Sequence, residues 1–270
     1  MVGLLSVMQT GRSGLSAKHL YMSIIGNNIA NVNTVGFKRD KIEFCDILRQ
    51  NLGHKGIPVI PENEKEEVSV RTTVAEVGHG VKVVSIDKVF NQGVLKKTGR
   101  DLDLAINGEG FFAVVDNKEQ IFYTRDGSFF LDKYGYMVNA KGFKLLDVKF
   151  SDEITDIVVN EDGQVIASSK DGKKTINQQI SLYRFENISG LKAVGDNLFL
   201  ATEEVGMLRK GIPGEEGVGS IKQKYLEMSN VNIASEMVNM IEAQRAYAFN
   251  SRVVSVADEM WGIANNIKRS

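Results

Sequence analysis

The sequence predicts an α+β fold in which long N- and C-terminal helices pair as a coiled coil, with a mainly antiparallel β-domain between them. Three observations carry this. Apolar residues recur at heptad spacing at both ends, no comparable heptad occurs in between, and the interior alternates β-branched runs with short polar turns.

The C-terminal helix is expected from Ile233 to Ile267. Phe249, Val253, Val256, Met260, Ile263 and Ile267 alternate in steps of four and three, one apolar seam of a helix. Ile233, Met237 and Met240 share the spacing, but their register runs on to Gln244 and Ser251. The seam therefore slips phase, and Ala243 and Ala246 carry it across. Asn232 suits the N-cap, and Glu236 suits the first turn, where the positive end of the helix dipole favours an acid.

At the other end Met1, Met8, Leu15, Met22 and Ile29 recur every seven residues. Leu4 and Ile25 form a companion row that Gly11 and Lys18 interrupt. A helix from Leu4 to Ile29 would be about 39 Å long and its C-terminal counterpart about 52 Å. Rods of that length outrun the cover of a small intervening domain, so they are expected to pair with each other and with further copies. Gly3, Gly11, Gly14 and Gly26 weaken the first helix by about 0.8–1 kcal/mol each relative to Ala while permitting close approach of a neighbour.

The first helix is expected to end in NNIANVNTVGFKR, where Asn27, Asn28, Asn31, Asn33 and Gly36 supply left-handed backbone and side-chain hydrogen bonds for a shaped turn leading to Phe37. Composition then changes. Arg49 to Val70 holds two of the three prolines and the acidic run Glu62, Glu64, Glu66 and Glu67, the mark of a solvated excursion. Strands are expected at Val81–Phe90, Leu102–Ile106, Phe111–Val115, Asp156–Asn160, Gln164–Ser168 and Ile180–Phe185. The dipeptides Asn107-Gly108, Asp126-Gly127, Asp162-Gly163 and Asp171-Gly172 are hairpin signals. The expected organisation is a helical domain from residues 1–36 and 226–270, a connecting segment at 37–80, a β-domain at 81–205 and a return connection at 206–225.

Composition narrows the function. The 270 residues are 43% hydrophobic with a formal charge of −1, so no global field recommends nucleic acid or an anionic membrane. The opening residues lack a basic stretch and a long apolar run, which points away from a cleavable signal peptide and a spanning helix. Cys45 stands alone, and His19, His54 and His79 lie 25 to 35 residues apart without metal-ligand spacing. Gly108-Glu109-Gly110 and Gly78-His79-Gly80 do not complete a phosphate loop and read as turns. No nucleophile elbow or cofactor fingerprint appears, so no catalytic residue, metal or cofactor is expected. Arg125-Asp126 and Arg100-Asp101 could form ion pairs at an interface, each worth about 0–1 kcal/mol when exposed.

NNIANVNTVGFKR resembles the N-terminal signature of the bacterial flagellar axial proteins, the rod, hook and hook-associated family, approximately NNxANxxTxGFK. SNVNIASEMVNMIEAQRAY resembles the same family's C-terminal SNVxxxxEMVxMIxxQRAY. NGEGFFAV and YTRDGSFFLDKYGYMV resemble its central GxGFFxV and YTRxGxFxxDxxGxLV. These motifs stand in the family's order and frame nearly the whole chain. The sequence departs at Ala248, where relatives often carry Glu, and at Tyr136-Met137.

The resemblance implies a structural subunit of a helical tube, not an enzyme, with the terminal helices as an inner coiled-coil layer and the β-domain outside. Its implied partners are copies of itself, other flagellar rod and hook proteins, and the flagellar type III export apparatus, with no nucleic acid and no membrane insertion. Its implied location is the basal body, spanning the periplasm, reached without a cleavable signal peptide, and its implied work is transmission of torque from motor to hook. Chain length and QRAYAFNSR are most similar to the distal-rod members, with a proximal-rod paralogue or compact hook protein as the alternative. A secreted β-domain binding module trimerised by its helices would also explain heptads and strands, but leaves the ordered signatures unexplained. The expected assembly residues are Met8, Leu15, Met22, Ile25, Ile29, Met237, Met240, Phe249, Val253, Val256, Met260, Ile263 and Ile267 on the helices, with Asn27, Asn28, Asn31, Gly36 and Phe37 at the turn.

Overall fold

The computed structural model describes residues 2–47, 50–51, 76–150, 154–169, 175–215 and 217–267. The chain divides into two compact units, one of Met1–Gly26, Lys41–Ile86 and Met237–Ser270, the other of Asn27–Asp40 and Asp87–Glu236.

The first unit is built on most of helices α1 (Val2–Ala30) and α2 (Ile233–Ile267). The α2 bounds are those its cap and seam predict, and α1 extends the expected helix by a residue or two at each end. A two-stranded ribbon, Asp40–Asp46 with Val81–Lys88, accompanies the helices. Ser13 ties α1 to it, accepting from the Val81 backbone N–H at 3.3 Å while donating to the Thr10 carbonyl. Gly80, at φ +108°, leaves room for that hydroxyl, since a Cβ there would lie 2.0 Å from Ser13 Oγ. Tyr21 meets Phe44 edge to face at 5.9 Å, with the Lys18 ammonium 5.5 Å from both rings. Of the Arg49–Val70 excursion, only Gln50–Asn51 is described, paired with Glu76–Val77. The rest of it, His54 included, lies outside the described residues.

The second unit is the β-domain. Its largest sheet has seven antiparallel strands, in spatial order Leu191–Gly195, Leu198–Ala201, Ile121–Thr124, Phe112–Val115, Lys144–Lys149, Tyr136–Val138 and Phe130–Leu131. A three-stranded sheet, Ile154–Val159, Gln164–Ser169 and Thr175–Gln179, adds to the same core. The expected strands are present with ends shifted by up to two residues, and several short ones join them. The return segment is itself partly strand. Leu208–Gly211 pairs with Leu182–Phe185, Ser220–Gln223 with Leu104–Asn107, and Tyr225–Glu227 with Leu95–Lys97. Sequence-distant pairings of this kind close the domain onto its own beginning, just before α2 starts.

Turn chemistry decides where hairpins form. Asp162-Gly163 makes one, with Gly163 at φ +76°. Asn107-Gly108 and Asp126-Gly127 do not. The strand before Asn107-Gly108 pairs with Ser220–Gln223 rather than with its successor, and Asp126 instead accepts from the backbone and hydroxyl of Ser128 at 2.9 and 2.7 Å. Asp171-Gly172 lies outside the described residues. Asp196-Asn197, both at positive φ, turn the Leu191–Gly195 hairpin without a central glycine.

The main core gathers Leu104, Ile106, Phe112, Phe129, Met137, Phe150, Leu182 and Ile221, each essentially inaccessible, with Phe112 and Phe129 edge to face at 5.5 Å. A second cluster, Phe111, Tyr123, Tyr183, Phe185 and Phe199, is held by edge-on rings with Phe90 at its margin. Phe112→Ala is expected to cost about 3–5 kcal/mol through lost burial and an unfilled cavity. Urea unfolding monitored by circular dichroism would check it, and a loss under about 1 kcal/mol would refute the assigned core.

Candidate assembly site

The helices of the first unit meet through small residues. A Cβ built on Gly11 would lie 2.6 Å from a Val254 methyl, and one on Gly14 would lie 2.7 Å from the Asn250 amide nitrogen, so α1 and α2 approach closely where glycine allows it. Ala17, Ala243 and Ala257 are buried, and Ala246, Asn250, Val253 and Val254 are half-buried. Met240, Ala243, Ala246, Asn250, Val254 and Ala257 form a continuous three-four row. The apparent phase slip disappears once the small residues are taken as the packed seam.

The large residues expected on that seam lie elsewhere. Phe249 is 67% exposed, Val256 46% and Ile263 61%, with Met260, Met237 and Val238 also exposed. At 3.6 residues per turn, the row Val238, Phe249, Val256, Met260 and Ile263 is centred roughly 125° around α2 from the packed row. Of the other expected residues, Val253, Met240, Met8, Leu15, Met22 and Ile29 are half-buried and Ile25 is buried, while the Ile267 side chain lies outside the described residues. Trp261 and Ile241, exposed on α2, escape the heptad reading.

In the second unit the turn after α1 is held by reciprocal bonds. Buried Asn28 donates to the Asp40 carbonyl at 2.9 Å and accepts from the Asp40 N–H at 3.0 Å. Asn27 donates to the Asp40 carboxylate at 3.3 Å. Asn31 donates to the Asn27 carbonyl at 2.9 Å and accepts from the Thr34 hydroxyl at 3.1 Å. Gly36, at φ +68°, donates to the Glu227 carbonyl at 2.8 Å, and a Cβ there would come 2.7 Å from the Asp126 nitrogen. Phe37 is buried with the Lys88 ammonium 5.1 Å from its ring centroid.

Beyond Gly36 lies a buried charge cluster. Lys38 Nζ donates to Glu227 at 2.6 Å and to the Asn91 carbonyl at 2.9 Å. Glu227 also accepts from the Gly93 N–H at 2.8 Å, and its other oxygen lies 3.5 Å from Arg125 Nη1, which donates to the Gly108 carbonyl. Burial pushes the Lys38 amine below its ordinary value against the attraction of Glu227, and does the same to Arg125. Arg125 thus pairs with Glu227 rather than with its neighbour Asp126, and Arg100 meets Asp103 at 3.5 Å rather than Asp101. Arg39 reaches Glu236 in the first turn of α2 at 3.0 Å, and its N–H donates to Asn230 Oδ1. Asn232 caps α2, accepting from the Ala234 and Ser235 N–H groups. The GFKR, YTRDG and SNVN segments therefore converge on one buried centre, with Glu227 the residue that spacing alone did not mark.

Glu227→Gln would leave two buried cations without their counter-charge. It is expected to cost about 3–5 kcal/mol in urea unfolding. Burial raises the Asp126 carboxyl, against the Ser128 hydrogen bonds and with help from nearby Asp103. A carboxyl raised on folding has its full stabilising contribution below its unfolded pKa and loses it as pH climbs through the folded one. Asp126→Asn keeps the Oδ1 acceptor, so melting curves should show a higher Tm than wild type at pH 7 and no gain below about pH 4; equal curves at both would refute the assignment.

Among the described residues no group of His, Cys, Asp or Glu could hold a metal, and no helix is long and apolar enough to cross a membrane. The chain matches three family models: flagella basal body rod protein at residues 8–38, the flagellar hook protein FlgE/F/G D1 domain at 105–167, and the flagellar basal body rod FlgEFG protein C-terminal region at 222–267. It is 40% identical over 270 residues to a flagellar basal-body rod protein FlgG of Borreliella burgdorferi, covering 98% of this chain and 100% of that one. The FlgG of Caulobacter vibrioides is 38% identical, with 95% and 97% covered, and that of Bacillus subtilis 33% identical, with 98% and 100% covered.

Proposed function

The chain belongs to the flagellar basal-body rod protein family, and from that premise we propose that it is a distal-rod subunit whose terminal helices form a coiled-coil layer only in the polymer. The carrying observation is the division of labour on α2. Asn250 and Val254 meet Gly11 and Gly14 of α1, while Val238, Phe249, Val256, Met260 and Ile263 stand exposed in one row. Burying each such side chain against a neighbour contributes roughly 1.5–3 kcal/mol, so the row acts as an adhesive between copies.

The mechanism is mechanical. A head-to-tail contact that does not close into a ring propagates as a helix, and many such contacts add to a stiff shaft that passes torque from motor to hook. Other rod and hook proteins would flank it, and the type III export apparatus would deliver it to the periplasm-spanning rod. The proximal-rod and hook alternatives draw less support, because the relatives described above carry the FlgG name over nearly their full length. A binding module trimerised by its helices would not require those matches.

Val256→Asp or Met260→Asp is expected to abolish polymer in electron micrographs while leaving the melting of the unassembled chain within about 0.5 kcal/mol of wild type, since both side chains are exposed. Polymers of normal yield from either variant would overturn the proposal.

A further inference from the structure

The methionines of the chain fall into distinct environments. Met137 is inaccessible in the main core, and Met8, Met22, Met228 and Met240 are half-buried. Met207, Met237 and Met260 are exposed, at 66%, 55% and 45%. A thioether in contact with solvent is open to two-electron oxidants, whereas one sealed in a packed core is shielded from them.

Met260 differs from the other two in its neighbours. Val256 stands four residues before it and Ile263 three after it, so it occupies the middle of the exposed apolar row at the C-terminal end of α2. Met237 sits in the first turns of that helix, off the row, and Met207 lies in the β-domain beside Leu208–Gly211. Oxidation exchanges an apolar sulfur for a polar sulfoxide whose oxygen is a hydrogen-bond acceptor. The side chains of Phe249, Val256 and Ile263 offer that oxygen no donor, so covering the row with another molecule would strip it of water without replacement.

We infer that Met260 is a reversible oxidation site through which a peroxide withholds the unassembled chain from polymer. The inference rests on the rod reading, in which further copies cover this row. The reaction balances with the peroxide as sole oxidant. The sulfur lone pair attacks one peroxide oxygen, the S–O bond forms as the O–O bond breaks, and the second oxygen leaves as water. Sulfur loses two electrons and the peroxide gains them. Fold and site are separable, because Met260 is exposed and Met137 is not.

The test starts from unassembled chain carrying Cys45→Ser, which removes the single thiol as a competing target. Hydrogen peroxide is added, the excess is destroyed, and peptide mass spectrometry locates the added oxygen. Met207, Met237 and Met260 are expected to oxidise well before Met137. The critical concentration for assembly should rise by at least about tenfold with melting unchanged, and methionine sulfoxide reductase should restore assembly. Met260→Leu, which roughly conserves volume, should assemble normally before and after peroxide. A Met207→Leu, Met237→Leu double variant should lose assembly on oxidation as its parent does. Assembly of the Met260-oxidised parent at its untreated critical concentration, or loss of assembly by oxidised Met260→Leu chain, would overturn the inference and leave the rod reading intact. A fall in melting that accounts for the lost assembly would likewise overturn it. Failure of untreated chain to polymerise would bring down both.

Discussion

The β-domain depends on one buried carboxylate. Glu227 satisfies the Lys38 ammonium, approaches the Arg125 guanidinium and accepts from the Gly93 amide, while its own carbonyl takes the N–H of Gly36. Charges removed from water to this degree persist only when each finds a partner, and breaking such a pair costs far more than making it yields. The cluster therefore favours one arrangement of three distant chain segments over all others. It also fixes where the chain leaves for α2, since Tyr225–Glu227 pairs with Leu95–Lys97 and Asn230 donates to the Val89 and Asn91 carbonyls.

A second constraint acts in the helical unit. The glycines at the α1–α2 contact trade intrinsic helicity for close approach, and Gly11 and Gly14 tolerate no larger residue without displacing Val254 or Asn250. The larger side chains Phe249, Val256, Met260 and Ile263 of α2 stay exposed. Exposed apolar rows of this size mark contact with another molecule. In a flagellar basal-body rod protein, further copies are the fitting occupants.

The fold was legible in the sequence where local chemistry decides it. Asn232 and the apolar spacing placed α2 at Ile233–Ile267, and alternating β-branched runs located the longer strands. The packed face of α2 was not legible, because heptad reading weights large side chains, and this face carries buried Ala243 and Ala257 beside Asn250 and Val254. Short strands such as Tyr136–Val138 and Leu208–Gly211 carry too few residues to show alternation, and their pairing is set by partners far along the chain. Lys38 was not legible for another reason. A lysine ordinarily lies at the surface, and its burial follows from Glu227, 189 positions away. The flagellar signatures, by contrast, marked the converging segments at once, since GFKR and YTRDG supply the very cations that Glu227 pairs.

The central claim is that α2 keeps one face for its own chain and another for its neighbours. Thiol labelling of Val256→Cys and Ala257→Cys variants, in unassembled chain and in polymer, tests it most directly. The account predicts that position 256 reacts rapidly before assembly and becomes protected in the polymer, while position 257 is protected in both. Protection of position 256 in the unassembled chain, or its continued rapid reaction in the polymer, would contradict it.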